Sequence, residues 1–557
     1  MPAPRITAVL APSCPLTTDS GADRGCRSST IMRLPVLGVI VLLVLQAGCA
    51  SLPPGMGFPK TASSAFDRPN TTRSGRALAV ATATHAGASA FRLLPVGVDG
   101  FLTRVEMADA AERSLDLQYF ILRSDDTGRR IADAVLRAAD RGVRVRILVD
   151  DGETEAGDER IALLDAHPNI EVRVFNPFIY RGHNKALRAI EFMARSDQLD
   201  YRMHNKLFVA DNAVALIGGR NIADEYFQVD PDRQFADDDV FAAGPVVREL
   251  SNKFDDFWNS DSAIPVAALG TGKPTAASLA SYRQELAEDR DRPLPDGRDY
   301  GPKIAAAEPL VGLLSGQLPL VWAGWSVVCD SPDKRKIEKG WRVGALMERP
   351  VAATTAAVQG ELLMITPYLV PGQEGVQLFQ GLRDRGVTVR LLTNSLESNT
   401  VPAAQAGYMR YRKPLLEMGV DLYEIRASLG STRGSGQTVE ISRHGNYSLH
   451  GKMFIFDRRK IFVGSMNFDQ RSMHLNTEIG LIIDSDVLAH QLATRFAAMV
   501  APENAYHLAL DGTDPTKLSW ITVENGMATH YDAEPSKSTL QKLQVDALTL
   551  LPIDKEL

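Results

Sequence analysis

The chain has 557 residues, more than one hydrophobic core usually serves, so two or more domains are expected. Hydrophobic residues make up 45% and charged residues 23%, which excludes a disordered chain, and a net charge of -7 from 61 basic and 68 acidic residues argues against a nucleic-acid partner. The four cysteines, Cys14, Cys26, Cys49 and Cys329, make no disulfide framework, and no pair has metal-ligand spacing.

Residues 1–31 are polar and turn-rich. Arg33 and an apolar run from Leu34 to Leu45 follow, ending in Ala47-Gly48-Cys49. This is the layout of a secretory signal peptide, with the run too short to span a bilayer at ~20 residues. Met32 is then the expected start, which leaves 1–31 as an upstream mis-start and removes Cys14 and Cys26. AGC resembles the lipobox of bacterial lipoproteins, with Gln46 where Leu is usual, and makes Cys49 the expected lipidation site. Residues 50–85 begin with a Pro-, Gly- and Ser-rich stretch that reads as a tether. Signal and tether together place the folded part in the cell envelope, membrane-anchored and facing the periplasm.

Leu115–Ile121 reads as a strand, Gly128–Ala139 as a helix with Ile131, Val135 and Leu136 on one face, and VRVRILV as a second strand. This β-α-β order recurs at 361–394, where RGVTVRLLTN matches RGVRVRILVD of the first copy. An α/β protein of two similar halves is expected, at 86–260 and 321–510. Residues 261–320 read as a linker and 511–557 as a C-terminal extension. Cys329 follows the apolar run VWAGWSVV and reads as a buried thiol.

The tripeptide HNK occurs twice, at 183–185 and 204–206. Beyond His204 stand Lys206, Asp211, Gly218-Gly219 and Asn221. The second half holds His450, Lys452, Asp457, Gly464-Ser465 and Asn467 at the same spacings. His183 has no such company and reads as a helix start near the surface. In HNKLFVAD an alternating strand would point His204, Lys206 and Phe208 to one face. Two such strands, one per half, would bring two imidazoles and two ammonium groups to one cavity. Two cations, the amides of Asn221 and Asn467 and the Ser465 hydroxyl suit a phosphate. One His can attack phosphorus while the other protonates the leaving oxygen. Each needs an orienting carboxylate, for which Asp237 in QFADDDVF and Glu478 in LNTEIGLIID are the candidates. No metal and no cofactor is expected.

Both motifs resemble the HxK(x)4D signature of the phospholipase D superfamily. The resemblance implies two phospholipase D-like α/β lobes, a pseudo-twofold duplication with the active site at their interface. It implies His204 as nucleophile, His450 as general acid and base, and Asp211 and Asp457 as carboxylates that hold local structure. RMHNK, GGRNIADEYF, DDDV, LHGK, GSMNFDQRS and LNTEIGL resemble the bacterial cardiolipin synthases of the C subtype, from about residue 90 to about 510. That likeness implies transfer of a phosphatidyl group from a phospholipid donor to phosphatidylglycerol. Hydrolysis to phosphatidic acid is the alternative; a phosphodiesterase nuclease or an inactive lipid-binding lipoprotein is a poorer fit. Both motifs lie on one chain, so a monomer is expected to complete the site.

Overall fold

Asp125 caps the helix Asp126–Asp140 by accepting from the N–H of Gly128, and Ile131, Val135 and Leu136 are its buried face. Gly142, at φ 92°, turns the chain back into the sheet. In this computed structural model the flanking strands Ser114–Tyr119 and Arg144–Asp150 pair in parallel, as the β-α-β order predicts. Glu361–Ile365, Gly372–Asp384 and Thr388–Asn394 repeat the unit. The structure describes residues 57–550 apart from 153–157, 183, 231, 271–273, 293–308, 430–445, 512–513 and 515–516.

Across the first lobe the strands run Ala263–Pro265, Ile170–Phe175, Arg144–Asp150, Ser114–Tyr119, Leu207–Ala210, Val214–Gly218, Asp239–Ala243 and Ser89–Leu94. The second lobe repeats this from Val321–Cys329 through Ile479–Asp484, Lys460–Gly464, Met453–Phe456, Glu361–Ile365, Thr388–Asn394 and Asp421–Ile425 to Ala505–Leu510. The equivalent strands Ser89–Leu94 and Val321–Cys329 pair with each other, Ala90 opposite Trp322, and join the halves into one 18-stranded sheet. This is the two-lobed α/β architecture expected from the duplication. One apolar cluster holds Leu207, Ile217 and Val240 of the first lobe with Ile455, Val463 and Leu481 of the second. At about 1.5–3 kcal/mol per buried aliphatic side chain, exposing these six would cost about as much as a domain's whole net stability.

Several expectations need correction. Residues 57–84 are not a free tether. Arg146 and Arg173 donate to the carbonyls of Ser63 and Thr61, Lys60 donates to Ala263, and Arg73–Thr84 is helical. Buried guanidinium groups need acceptors, and this segment supplies backbone carbonyls that composition does not reveal. The expected linker contains a helix, Ala276–Asp291, whose Leu279, Tyr282 and Leu286 enter the first-lobe core together with Leu310 and Leu313. The C-terminal extension adds the hairpin Leu518–Glu524 and Met527–Tyr531 to the edge of the second-lobe sheet. Cys329 is a buried free thiol, as read from its apolar surroundings. The mis-start, the signal and Cys49 lie outside the described residues, as does His183. Asn184 caps the helix Lys185–Ala194.

Candidate active site

The hairpin after each His-Lys pair turns on the motif aspartate. Asp211 and Asn212 have φ of 55° and 50°, and Asp457 and Arg458 have φ of 52° and 52°, a left-handed pair opening each three-residue loop. Asp211 accepts from the N–H groups of Glu112, Arg113 and Ser114 at 3.0, 2.7 and 2.9 Å. Asp457 accepts from Gln359, Gly360 and Glu361 at 3.0, 2.7 and 3.0 Å. Each aspartate thus pins its hairpin to the neighbouring strand. Burial opposes the charge of Asp457, but those N–H groups outweigh it and hold the carboxyl below its usual range.

His204 and Lys206 stand before the strand Leu207–Ala210 and not on it, contrary to the alternation read from HNKLFVAD. The reason is a crossing between lobes. Met203 bridges Thr477 in parallel, and the His204 N–H donates to the Thr477 carbonyl at 2.9 Å. The other half mirrors this: Arg233–Ala236 pairs in parallel with Asn446–Leu449, and the His450 N–H donates to Ala236 at 2.8 Å.

Each crossing delivers a carboxylate to the opposite imidazole. His204 Nδ1 lies 3.0 and 2.9 Å from the two carboxylate oxygens of Glu478. His450 Nδ1 lies 2.6 Å from Asp237 Oδ2. With Nδ1 of each ring turned to a carboxylate, Nε2 is the nitrogen left to react, and Lys452 Nζ stands 3.3 Å from that of His450. Both histidines retain only 7% exposure. Phe120 packs edge-on against His204, and Tyr226 does so against His450.

Lys206 Nζ donates to the His204 carbonyl at 2.6 Å, and Lys452 Nζ to that of His450. All these groups act on one another. Burial, then Lys206 and Lys452, hold His204 well below its ordinary pKa. Burial, then Lys452, Lys206 and His204, do the same to His450. Burial lowers Lys206 strongly and Lys452 to about 8. It pushes Glu478 up to about 7, against the pull of Lys206, and raises Asp237 against Lys452.

The other sequence candidates divide. Asn221 Oδ1 accepts from the Ile121 N–H, and its Nδ2 donates to the Tyr226 hydroxyl. Asn467 Oδ1 is buried without a hydrogen-bond partner. Ser465, read as a phosphate donor, instead gives its hydroxyl to Glu478 Oε2 and accepts from the Ile479 N–H. Gly219 occupies the equivalent place, where a Cβ would sit 2.3 Å from Asp237 Oδ1. Glycine in one lobe and serine in the other therefore match two carboxylates of different reach.

A family model described as cardiolipin synthase, PLD-like domain, matches residues 105–258 and 354–500, one segment in each lobe. Cardiolipin synthase C of Escherichia coli (strain K12) is 35% identical over 478 residues, 84% of this chain and 96% of that relative. The chain belongs to the cardiolipin synthase family of PLD-like proteins. It is thus a phospholipase D-type enzyme. A cardiolipin synthase of Geobacillus kaustophilus (strain HTA426) is 23% identical over 410 residues, 73% of this chain and 66% of that one. The crystal structure of a phosphatidylserine synthase of Haemophilus influenzae Rd KW20 shares the fold, with a TM-score of 0.53 at 14% identity, over 87% of this chain and all of that one.

Several residues that hold this family's paired motifs in place were not singled out in the sequence. Asp150 accepts from the Met203 N–H at 2.8 Å, and Asn394 accepts from the Leu449 N–H at 2.8 Å, each just before a motif histidine. They end the matched runs RILVD and RLLTN, so the repeat carried their signal. Asp330 accepts from the Glu478 N–H and pairs with buried Lys334. Nothing local in the sequence marks that pair. The DDDV run sends three carboxylates three ways: Asp237 to His450, Asp238 to Arg495 of the other lobe, and Asp239 to Arg104 and Arg220.

Proposed function

We propose that the protein transfers a phosphatidyl group between phospholipids through a phosphohistidine, with phosphatidylglycerol as acceptor and cardiolipin as product. The observation that carries this reading is the crossed pairing of His204 with Glu478 and His450 with Asp237. It holds Nδ1 of each imidazole and points Nε2 of each to the reaction, bare in the nucleophile and protonated in the acid. Following the family resemblance, His204 enters neutral and His450 enters as the imidazolium: His204 Nε2 attacks phosphorus, the bond to the donor's headgroup oxygen breaks, and His450 gives that oxygen its Nε2 proton. His450 then takes the proton of the acceptor hydroxyl, whose oxygen displaces His204 from phosphorus. Glu478 stabilises the positive charge on His204 as its Nε2 bonds to phosphorus, and Asp237 stabilises the His450 imidazolium before it gives its proton and after it takes the next one.

Two buried lysines raise the free energy of the site by their lost hydration, and a phosphodiester anion between them offsets this. Lys206 and Lys452 therefore act as the phosphate clamp, with the Asn221 and Asn467 amides beside them. Protein cations already face the phosphate, so catalysis proceeds without added metal or cofactor. One chain supplies both histidines, which makes a monomer sufficient. A phospholipid substrate and the lipobox-like AGC at Cys49 support a membrane-anchored protein of the cell envelope, facing the periplasm. Among the described residues no helix is long and apolar enough to cross a membrane.

The test is product analysis with labelled phosphatidylglycerol in vesicles, with and without chelator. Cardiolipin and glycerol in both cases are the expected result. Phosphatidic acid in place of cardiolipin would mean that water is the acceptor, and loss of activity with chelator would sink the metal-free mechanism. Labelled palmitate incorporation, lost in Cys49→Ser, tests the anchor.

A further inference from the structure

The helix Lys185–Ala194 buries none of its residues. Leu187, Ile190 and Met193 recur every third position and stay 45%, 48% and 70% exposed, with Ile179 and Phe192 exposed beside them. No described residue covers this face, and an exposed apolar stripe of this kind marks a docking surface. Its flank is basic. Arg181, Lys185 and Arg188 stand here; the two arginines share the single carboxylate of Asp151, and buried Arg195 pairs with Glu191, so the flank stays net positive in a protein of net charge -7. Lys185, Arg188, Phe178 and Met193 help line a groove of about 340 Å³.

A chain of contacts through Phe178 links the patch to the segment that carries His204. The guanidinium of Arg188 lies 4.2 Å from the centroid of the Phe178 ring, and that of Arg202 lies 5.7 Å from it. Arg202 is followed by Met203, which Asp150 holds, and then by His204.

We infer that this helix docks the protein on a bilayer surface containing anionic phospholipid, its Leu187-Ile190-Met193 stripe among the acyl chains and its basic flank at the headgroups. Ten residues make a helix of ~15 Å, about half the ~30 Å hydrocarbon core, so it lies in the plane of the interface. Anionic lipid meets the basic flank with phosphate and the apolar stripe with acyl chains, and a second copy of this chain would bring the negative charge alone. The inference rests on the phosphatidyl-transfer reading: a donor's phosphate must reach His204 while its chains remain in the membrane.

The experiment is hydrogen–deuterium exchange of the full chain with phosphatidylglycerol or phosphatidylcholine vesicles. Exchange in 185–194 should slow about tenfold or more with phosphatidylglycerol and much less with phosphatidylcholine. No slowing, equal slowing with both lipids, or slowing that follows protein concentration without vesicles would overturn the inference. The triple variant Leu187→Gln/Ile190→Gln/Met193→Gln should lose about tenfold or more of its turnover on vesicles and keep its turnover of monomeric short-chain phosphatidylglycerol. Equal loss on both substrates would overturn it too. A wild-type chain that converted neither lipid would refute the transfer reading, and the exchange data would still decide the docking face.

Discussion

Glu478 Oε2 lies 2.9 Å from His204 Nδ1, and the two residues belong to different lobes. Asp237 makes the reciprocal contact with His450. Neither lobe can therefore orient its own imidazole. Glu478→Gln and Asp237→Asn should each lower kcat by about 10²–10⁴-fold with little change in KM, because the carboxylate acts on the imidazolium of the transition state. Steady-state kinetics on phosphatidylglycerol checks this. A KM effect without a kcat effect would assign these carboxylates to substrate binding.

His204→Ala and His450→Ala should each abolish turnover. Quenching with labelled donor separates their roles: the His450→Ala chain can still acquire label as phosphohistidine, and His204→Ala cannot. Label retained in His204→Ala and absent from His450→Ala would reverse the assignment.

The Gly219 and Ser465 exchange can be read by substitution. In Gly219→Ala the new Cβ would lie 2.3 Å from Asp237 Oδ1, so the carboxylate must leave His450. The loss in kcat should approach that of Asp237→Asn. Ser465→Ala removes one charge-assisted hydrogen bond from Glu478 and should cost about 10- to 100-fold, equivalent to roughly 1.5–3 kcal/mol. Equal and small effects would show that the two positions do not tune their carboxylates.

The pH profile of kcat/KM should be bell-shaped. As pH falls through about 7, Glu478 takes up a proton and no longer offers His204 a charged acceptor, so activity falls. As pH rises through about 8, Lys452 loses its proton and its hold on the phosphate. Glu478→Gln should remove the acid limb and keep the basic one. An acid limb that survives this substitution must belong to another group.

Asp239 is fully buried between Arg104 and Arg220, at 2.8 and 3.2 Å. Asp239→Asn leaves two buried guanidinium groups without their counter-charge and should destabilise the protein by about 3–5 kcal/mol. Denaturant unfolding measures it. A loss below about 1 kcal/mol would mean that the backbone carbonyls around Arg104 and Arg220 suffice.

The duplication was legible in the sequence because it is written in local spacing. His204, Lys206 and Asp211 recur as His450, Lys452 and Asp457, and strand, helix and strand recur around Gly142 and Gly386. Asp237 and Glu478 could be named as orienting carboxylates, but which histidine each would serve could not. That choice joins residues 274 and 213 positions apart, through parallel bridges between lobes that no periodicity records. Tertiary packing also turned the Ser465 hydroxyl onto Glu478, set His204 and Lys206 ahead of their strand, and drew residues 57–84 against buried arginines. Hydrogen-bond partners for buried polar groups are found in space, and chain order fixes only those a few residues away.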